Sequence, residues 1–134
     1  MSDKITLTME VISERISLLN LPNIELIIGI ATGGVVPAAL ISYRTGKPLK
    51  IIKLNYRDEE NTPIREEPEL QSDDISIGGA KKILLVDDVS VSGKTLDAAK
   101  KLFAEIEITS LVMKGKADIV LFPELNKCVN WPWK

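Results

Sequence analysis

The chain has 134 residues, a formal net charge of −2, 45% apolar and 27% charged side chains, and a single cysteine, Cys128. That is enough for one ordinary domain over 1–134, with a buried core, and too little for two. The charge balance leaves no concentrated Lys/Arg face for nucleic acid, no apolar run approaches the ~20 residues of a membrane span, and one cysteine excludes an intramolecular disulfide framework.

Met1-Ser2-Asp3-Lys4 lacks the apolar stretch of a signal peptide, which, with the lone cysteine, predicts a cytoplasmic protein. Within residues 8–19, Val11, Ile12, Ile16 and Leu19 fall on one helical face, and Pro22 and Asn23 end the helix. Glu25 to Ile30 forms a short buried strand running into Ala31-Thr32-Gly33-Gly34. Pro37 suits a first helical turn, which predicts a helix over Pro37–Tyr43 that closes near Gly46. Leu49–Leu54 is a second strand.

Residues 55–79 hold two prolines, Gly78-Gly79 and few apolar side chains, with no period. A structureless stretch of that length in a compact domain is a functional lid or a disordered segment. A strand follows over Lys82–Val86, then a loop, a helix over Lys94–Ala104 and a strand over Glu107–Met113. Ile119–Phe122 and Trp131-Pro132-Trp133 give no decisive pattern.

Aromatic residues make up only 4%, so the core is aliphatic, as in parallel sheets covered on both faces. Strands alternating with helices give right-handed βαβ units, hence an α/β fold: a doubly wound, mainly parallel sheet flanked by helices. Such sheets bind ligands beyond the carboxyl ends of their strands. The glycine-bearing loops 31–34 and 87–93 both lie there.

The most informative run is Ile83-Leu84-Leu85-Val86-Asp87-Asp88-Val89-Ser90-Val91-Ser92-Gly93-Lys94-Thr95. A helix N-terminus with the Ser92 and Thr95 hydroxyls beside it cradles a phosphate. Two carboxylates at a strand end suit the hydroxyls of a ribose or a hydrated Mg²⁺. With no histidine in the chain, acid–base work falls to carboxylates, Lys, Tyr or the substrate itself. A plain surface turn with aspartates capping a helix is the competing structural explanation. A Walker A loop fails, because it needs glycine where Asp88 stands. Gly29, Ala31 and Gly34 form a degenerate dinucleotide fingerprint, but Asn55-Tyr56-Arg57 follows the next strand in place of its acid.

The apolar strand, acidic pair and Ser-Gly-x-Thr turn resemble the type I phosphoribosyltransferase family. The likeness covers most of the chain and is nearest the small xanthine/guanine (6-oxopurine) enzymes, which have a minimal hood. It implies transfer of 5-phosphoribosyl from 5-phosphoribosyl-1-pyrophosphate (PRPP) to a nucleobase, a purine, with Mg²⁺ as cofactor and a homodimer as the assembly. By resemblance, Asp87 and Asp88 are the catalytic carboxylates, hold the ribose hydroxyls and meet the metal directly or through water. Val91, Ser92, Gly93, Lys94 and Thr95 wrap the 5-phosphate. Ala31, Thr32, Gly33 and Gly34 resemble the diphosphate loop, Asn55, Tyr56 and Arg57 the start of the mobile loop over about 55–79, and Lys114 and Val129 the base contacts. Asp118 takes the place of the family's Pro-Asp, and Val129 to Lys134 resembles its closing apolar segment.

Three residues depart from that pattern. Thr32 replaces an arginine, Val91 stands where purine enzymes carry an aspartate, and Cys128 where relatives tend to place a tryptophan against the base. All three lean toward an alternative, a non-catalytic regulatory protein that binds PRPP or a nucleotide through the same fold.

Overall fold

A computed structural model describes residues 4–55, 69–70, 77–103 and 106–133. In chain order these form β1 (Ile5–Thr6), α1 (Met9–Ser17), β2 (Leu26–Ala31), α2 (Val35–Thr45), β3 (Leu49–Asn55), β4 (Glu69–Leu70), β5 (Lys82–Ser90), α3 (Lys94–Leu102), β6 (Glu107–Gly115), β7 (Ile119–Val120) and β8 (Val129–Asn130). The main sheet has six strands in the order β4-β3-β2-β5-β6-β7. All its pairings are parallel except that of β4 with β3. The chain winds outward from β2 to β3, then returns to β5 and winds the other way. The β2–β5 seam is therefore the point where strand order reverses, the place where open α/β sheets bind ligands.

Alternation along the strands explains why the sheet is covered on both sides. Ile27, Leu84, Val86, Leu111 and Met113 pack with Ile12 and Ile16 of α1 and Ala38 and Ile41 of α2. Leu26, Ile28, Ile30, Ile83, Leu85 and Val112 pack with Leu96 and Ala99 of α3. Each fully buried aliphatic side chain contributes about 2 kcal/mol. Gly29 belongs to this packing, because a Cβ there would lie 2.7 Å from that of Ala38. Its smallness brings α2 close to β2 and has no need of a dinucleotide.

Several boundaries differ from the sequence expectation. On α1 the buried stripe is Ile12 and Ile16, while Val11 is 42% exposed. Val11 sits about 100° around the helix from Ile12, outside the stripe. The helix stops at Ser17, with Leu18 as its C-cap, before Pro22 and Asn23 can act. The helix expected over Pro37–Tyr43 runs Val35–Thr45 and closes on Gly46 at φ 71°. The segment 55–79 is not wholly without structure, since Glu69–Leu70 pairs antiparallel with Leu54 and Asn55.

The C-terminal part resolves into β7, parallel to β6, and β8, which pairs with β1 as a separate two-stranded ladder. Two-residue pairings leave little signature in the sequence, and that of β8 joins it to a strand more than a hundred residues away. Trp131 is buried and stacks on Trp133 with ring centroids 5.4 Å apart. Arg15 ties α1 to this region: it lies over the Phe122 ring at 4.4 Å, donates to the Leu121 carbonyl at 2.7 Å and pairs with Glu124 at 2.8 Å. Among the described residues, no helix is long and apolar enough to cross a membrane.

Candidate active site

The strand expected to end at Val86 continues to Ser90, so Asp87 and Asp88 are strand residues, not loop residues. The ladder with β6 extends it: Asp87 pairs with Val112, Val89 with Lys114 and Ser90 with Gly115. Adjacent strand residues point to opposite faces. Asp88 continues the row of Leu84 and Val86 toward α2, and Asp87 continues the row of Ile83 and Leu85. The carboxylates thus bracket the strand end rather than sit side by side. Their local bonds are short, with the Asp88 N–H donating to Asp87 Oδ1 at 2.8 Å and the Val89 N–H to Asp88 Oδ1 at 2.7 Å.

Asp88 is only 7% exposed, and its carboxylate lies against Gly33. A Cβ on Gly33 would overlap all three carboxyl atoms. Gly34 is packed as tightly, since a Cβ there would press on the Val86 carbonyl and lie 2.7 Å from that of Ile30. Both glycines let the turn after β2 close onto β5, which brings the 31–34 loop and the acidic pair into contact. The Ala31–Thr32 peptide is cis. The turn also bonds to itself, with the Gly34 N–H donating to the Ile30 carbonyl at 2.7 Å and the Val35 N–H to that of Thr32 at 3.2 Å. Thr32 is exposed.

Beyond Ser90 the chain makes a turn and opens α3. Residues Val89 to Thr95 line a small cavity of about 140 Å³. Gly93 is the N-cap, at φ 83°, and has no side chain of its own to cap the helix. By contrast, Thr8 caps α1 by accepting from the Val11 N–H at 3.2 Å. A helix N-terminus presents N–H groups and a positive dipole end, the combination that seats an anion. Ser92 Oγ accepts from the Lys94 N–H at 3.3 Å, and the half-buried Thr95 adds a second hydroxyl. Val91 is 80% exposed, so its part in the turn is that of its main chain.

Lys114 lies on the strand next to the acidic pair, opposite Val89. The carboxyl ends of β2, β5 and β6 thus bring together Ala31 to Gly34, Asp87 to Thr95, and Lys114. Val129 is not on this sheet: it belongs to the β1–β8 ladder, where it packs against the α1/α2 core. Cys128 beside it is exposed. Asn55 ends β3, while Tyr56 and Arg57, with most of the expected mobile loop, lie outside the described residues.

Asp118 is used structurally. Its Oδ2 accepts from the Ser110 N–H at 2.9 Å and from the Ser110 hydroxyl at 3.1 Å, and Lys100 stands 3.6 Å away. The Ser110 main-chain hydrogen bond, opposed by partial burial and helped by the Lys100 charge, holds this carboxyl below the ordinary range. It fastens β7 to β6. Gly115 closes β6, and in the sequence it is marked only as a glycine directly after a strand-end lysine.

The family model of the phosphoribosyl transferase domain matches residues 7–113. Over 78 residues the chain is 41% identical to the orotate phosphoribosyltransferase of Sulfurisphaera tokodaii, an alignment covering 58% of this chain and 35% of that protein. Over 92 residues it is 27% identical to the xanthine-guanine phosphoribosyltransferase of Cereibacter sphaeroides, covering 66% of this chain and 53% of the other. The chain therefore spans about half or less of the length of these curated relatives. The crystal structure of a purine phosphoribosyltransferase from Pyrococcus horikoshii superposes with a TM-score of 0.73 at 26% identity, covering 98% of this chain and 95% of that one. The matched segment takes in both glycine turns, the acidic strand end between them and the strands that carry all three, and on that ground the chain belongs to the phosphoribosyl transferase domain family.

Proposed function

We propose that the chain transfers a 5-phosphoribosyl group from PRPP to a nucleobase and releases diphosphate. The observation that carries this is the contact between the Asp88 carboxylate and Gly33 at the β2–β5 seam. It joins a sugar-binding acid to a loop suited to diphosphate, at the sheet's natural ligand edge.

In this reaction a ring nitrogen of the base attacks C1 of the sugar as the C1–O bond to diphosphate breaks. Asp87 and Asp88 accept hydrogen bonds from the ribose hydroxyls and place negative charge near the sugar as it becomes cationic. The α3 N-terminus, with Ser92 and Thr95, holds the 5-phosphate. Thr32, Gly33 and Gly34 face the departing diphosphate, and Lys114 is the base contact. Asp87 and Asp88 are hard oxygen donors of the kind from which magnesium takes one or two ligands, leaving the rest to substrate phosphate and water. When bound, the metal would neutralise charge on the diphosphate.

A purine fits Lys114 at its strand end, and orotate is the rival acceptor because of the identity to an orotate enzyme. Homodimer formation in the cytoplasm is part of the proposal, and sedimentation velocity checks the dimer. The test of function is diphosphate release from PRPP and Mg²⁺ with guanine, xanthine, hypoxanthine, adenine and orotate in turn. Turnover with one of them supports the transferase and identifies its acceptor. Tight PRPP or nucleotide binding without turnover across the panel favours the second reading, a regulatory binding protein. The exposed apolar side chain of Val91 speaks for that outcome, since a positioned acid–base group at such a place is worth about 10²–10⁴-fold in rate.

A further inference from the structure

The carboxyl ends of β5 and β6 meet at one unusual contact. Gly115, the last residue of β6, pairs with Ser90, the last residue of β5. Its φ is +117°, a conformation that side chains avoid, and a Cβ built on it would overlap the carbonyl of Ser90 and crowd that residue's nitrogen. The next amide completes the contact, the Lys116 N–H donating to the Ser90 carbonyl at 2.9 Å. Ser90 itself is buried. Val91, which follows, begins the turn that opens α3, and Lys114 precedes Gly115 in the chain.

We infer that Gly115 is a positioning residue: the flush contact of its bare Cα with Ser90, together with the Lys116 amide, fixes where the turn after β5 starts and so aims the α3 N-terminus at its phosphate. This rests on the proposed reading of that turn as the 5-phosphate seat. Any side chain at position 115 must displace the Ser90 main chain or turn β6 away. Displacement carries into Val91 to Thr95, because the turn begins at the residue directly after the contact. The 31–34 loop is anchored elsewhere, with Gly33 against Asp88 and Gly34 against Val86 and Ile30, and does not share the contact.

Gly46 supplies the control. It too has a positive φ, of 71°, but nothing lies within 4 Å of a Cβ built there. Gly46→Ala therefore imposes backbone strain without displacing a neighbour, at the far end of α2 from the site.

The experiment is calorimetric titration of the full chain, Gly115→Ala and Gly46→Ala with ribose 5-phosphate and, separately, with diphosphate. The expected result for Gly115→Ala is ribose 5-phosphate affinity weaker by about tenfold, the effect of misaligning one charge-assisted hydrogen bond, with diphosphate affinity within twofold of the unmodified chain. Gly46→Ala changes neither. A merely structural lesion would weaken both ligands together, and that outcome overturns the inference, as does unchanged ribose 5-phosphate binding. Should Gly115→Ala fail to fold, hydrogen exchange in the unmodified chain decides: ribose 5-phosphate must slow exchange of the Lys116 amide, and an unaltered rate refutes the coupling. If the unmodified chain binds no ribose 5-phosphate at all, the proposed function itself fails and the inference falls with it.

Discussion

The turn after β2 and the turn after β5 both open helices whose N-cap is glycine, Gly34 and Gly93, and neither cap has a side-chain partner. Beyond that they diverge. The first spends polar groups on itself, through the Gly34 and Val35 amides, and Pro37 in its helix brings no N–H at all. Its one polar side chain, Thr32, carries no charge. The second keeps a cavity of about 140 Å³ with Ser92, Lys94 and Thr95 around it. On the proposed reading, one end of the seam is prepared for an anion before a ligand arrives; the other offers close backbone approach but little charge. Such a division suits a protein that holds sugar phosphate firmly and gives up diphosphate easily.

The widest gap between the two ends should open on replacing Asp87 and Asp88 together by asparagine. The double variant keeps the shapes and the packing against Gly33 while removing both charges. Ribose 5-phosphate affinity should fall on the order of 100-fold, two charge-assisted hydrogen bonds being weakened. Diphosphate affinity should be no weaker, because two negative charges have left its neighbourhood. Equal losses for both ligands would erase the distinction drawn here.

Supplying charge to the poorer end should narrow the gap. Thr32→Arg restores a cation that can make two parallel hydrogen bonds to phosphate oxygens. Diphosphate affinity should then rise by about tenfold, with ribose 5-phosphate unchanged. No gain by titration calorimetry would mean that diphosphate does not meet this turn.

The smallest effect belongs to a carboxylate outside both turns. Asp118 has its folded-state pKa lowered, chiefly by the Ser110 amide. A lowered pKa contributes stability that is present above the unfolded value, about 3.9 for aspartate, and is lost as pH falls through the folded value. Asp118→Asn should therefore lower the melting temperature slightly at pH 7, and the difference from the unmodified chain should shrink as the solution is acidified below that range. The side chain is 52% exposed, so solvent screening keeps the effect small. Ligand affinities should not move.

How much of this was legible beforehand follows from which forces were local. The aliphatic strands, the glycine at each turn and the residues of the acidic run announce themselves, because burial on both faces and phosphate seating need particular residue types in sequence. The extent of β5 was hidden. Two aspartates read as the end of a strand, yet pairing of Asp87, Val89 and Ser90 with β6 carries the ladder past them. That extension sets the two carboxylates on opposite faces, which no spacing argument on a loop would give. The β1–β8 ladder was equally hidden, since its partners stand more than a hundred residues apart. Gly115 was hidden for the same reason: its need for bare backbone comes from Ser90, on another strand.

In the proposed function the α3 N-terminus receives the phosphate of a phosphoribosyl ligand beside Asp87 and Asp88. Amide chemical shifts of the full chain, followed as ribose 5-phosphate is added, test it most directly. Saturable shifts are expected at Ser92, Gly93 and Thr95, with the amide of Val11, already bonded to Thr8, unmoved. Saturable binding that leaves those three amides in place would contradict it.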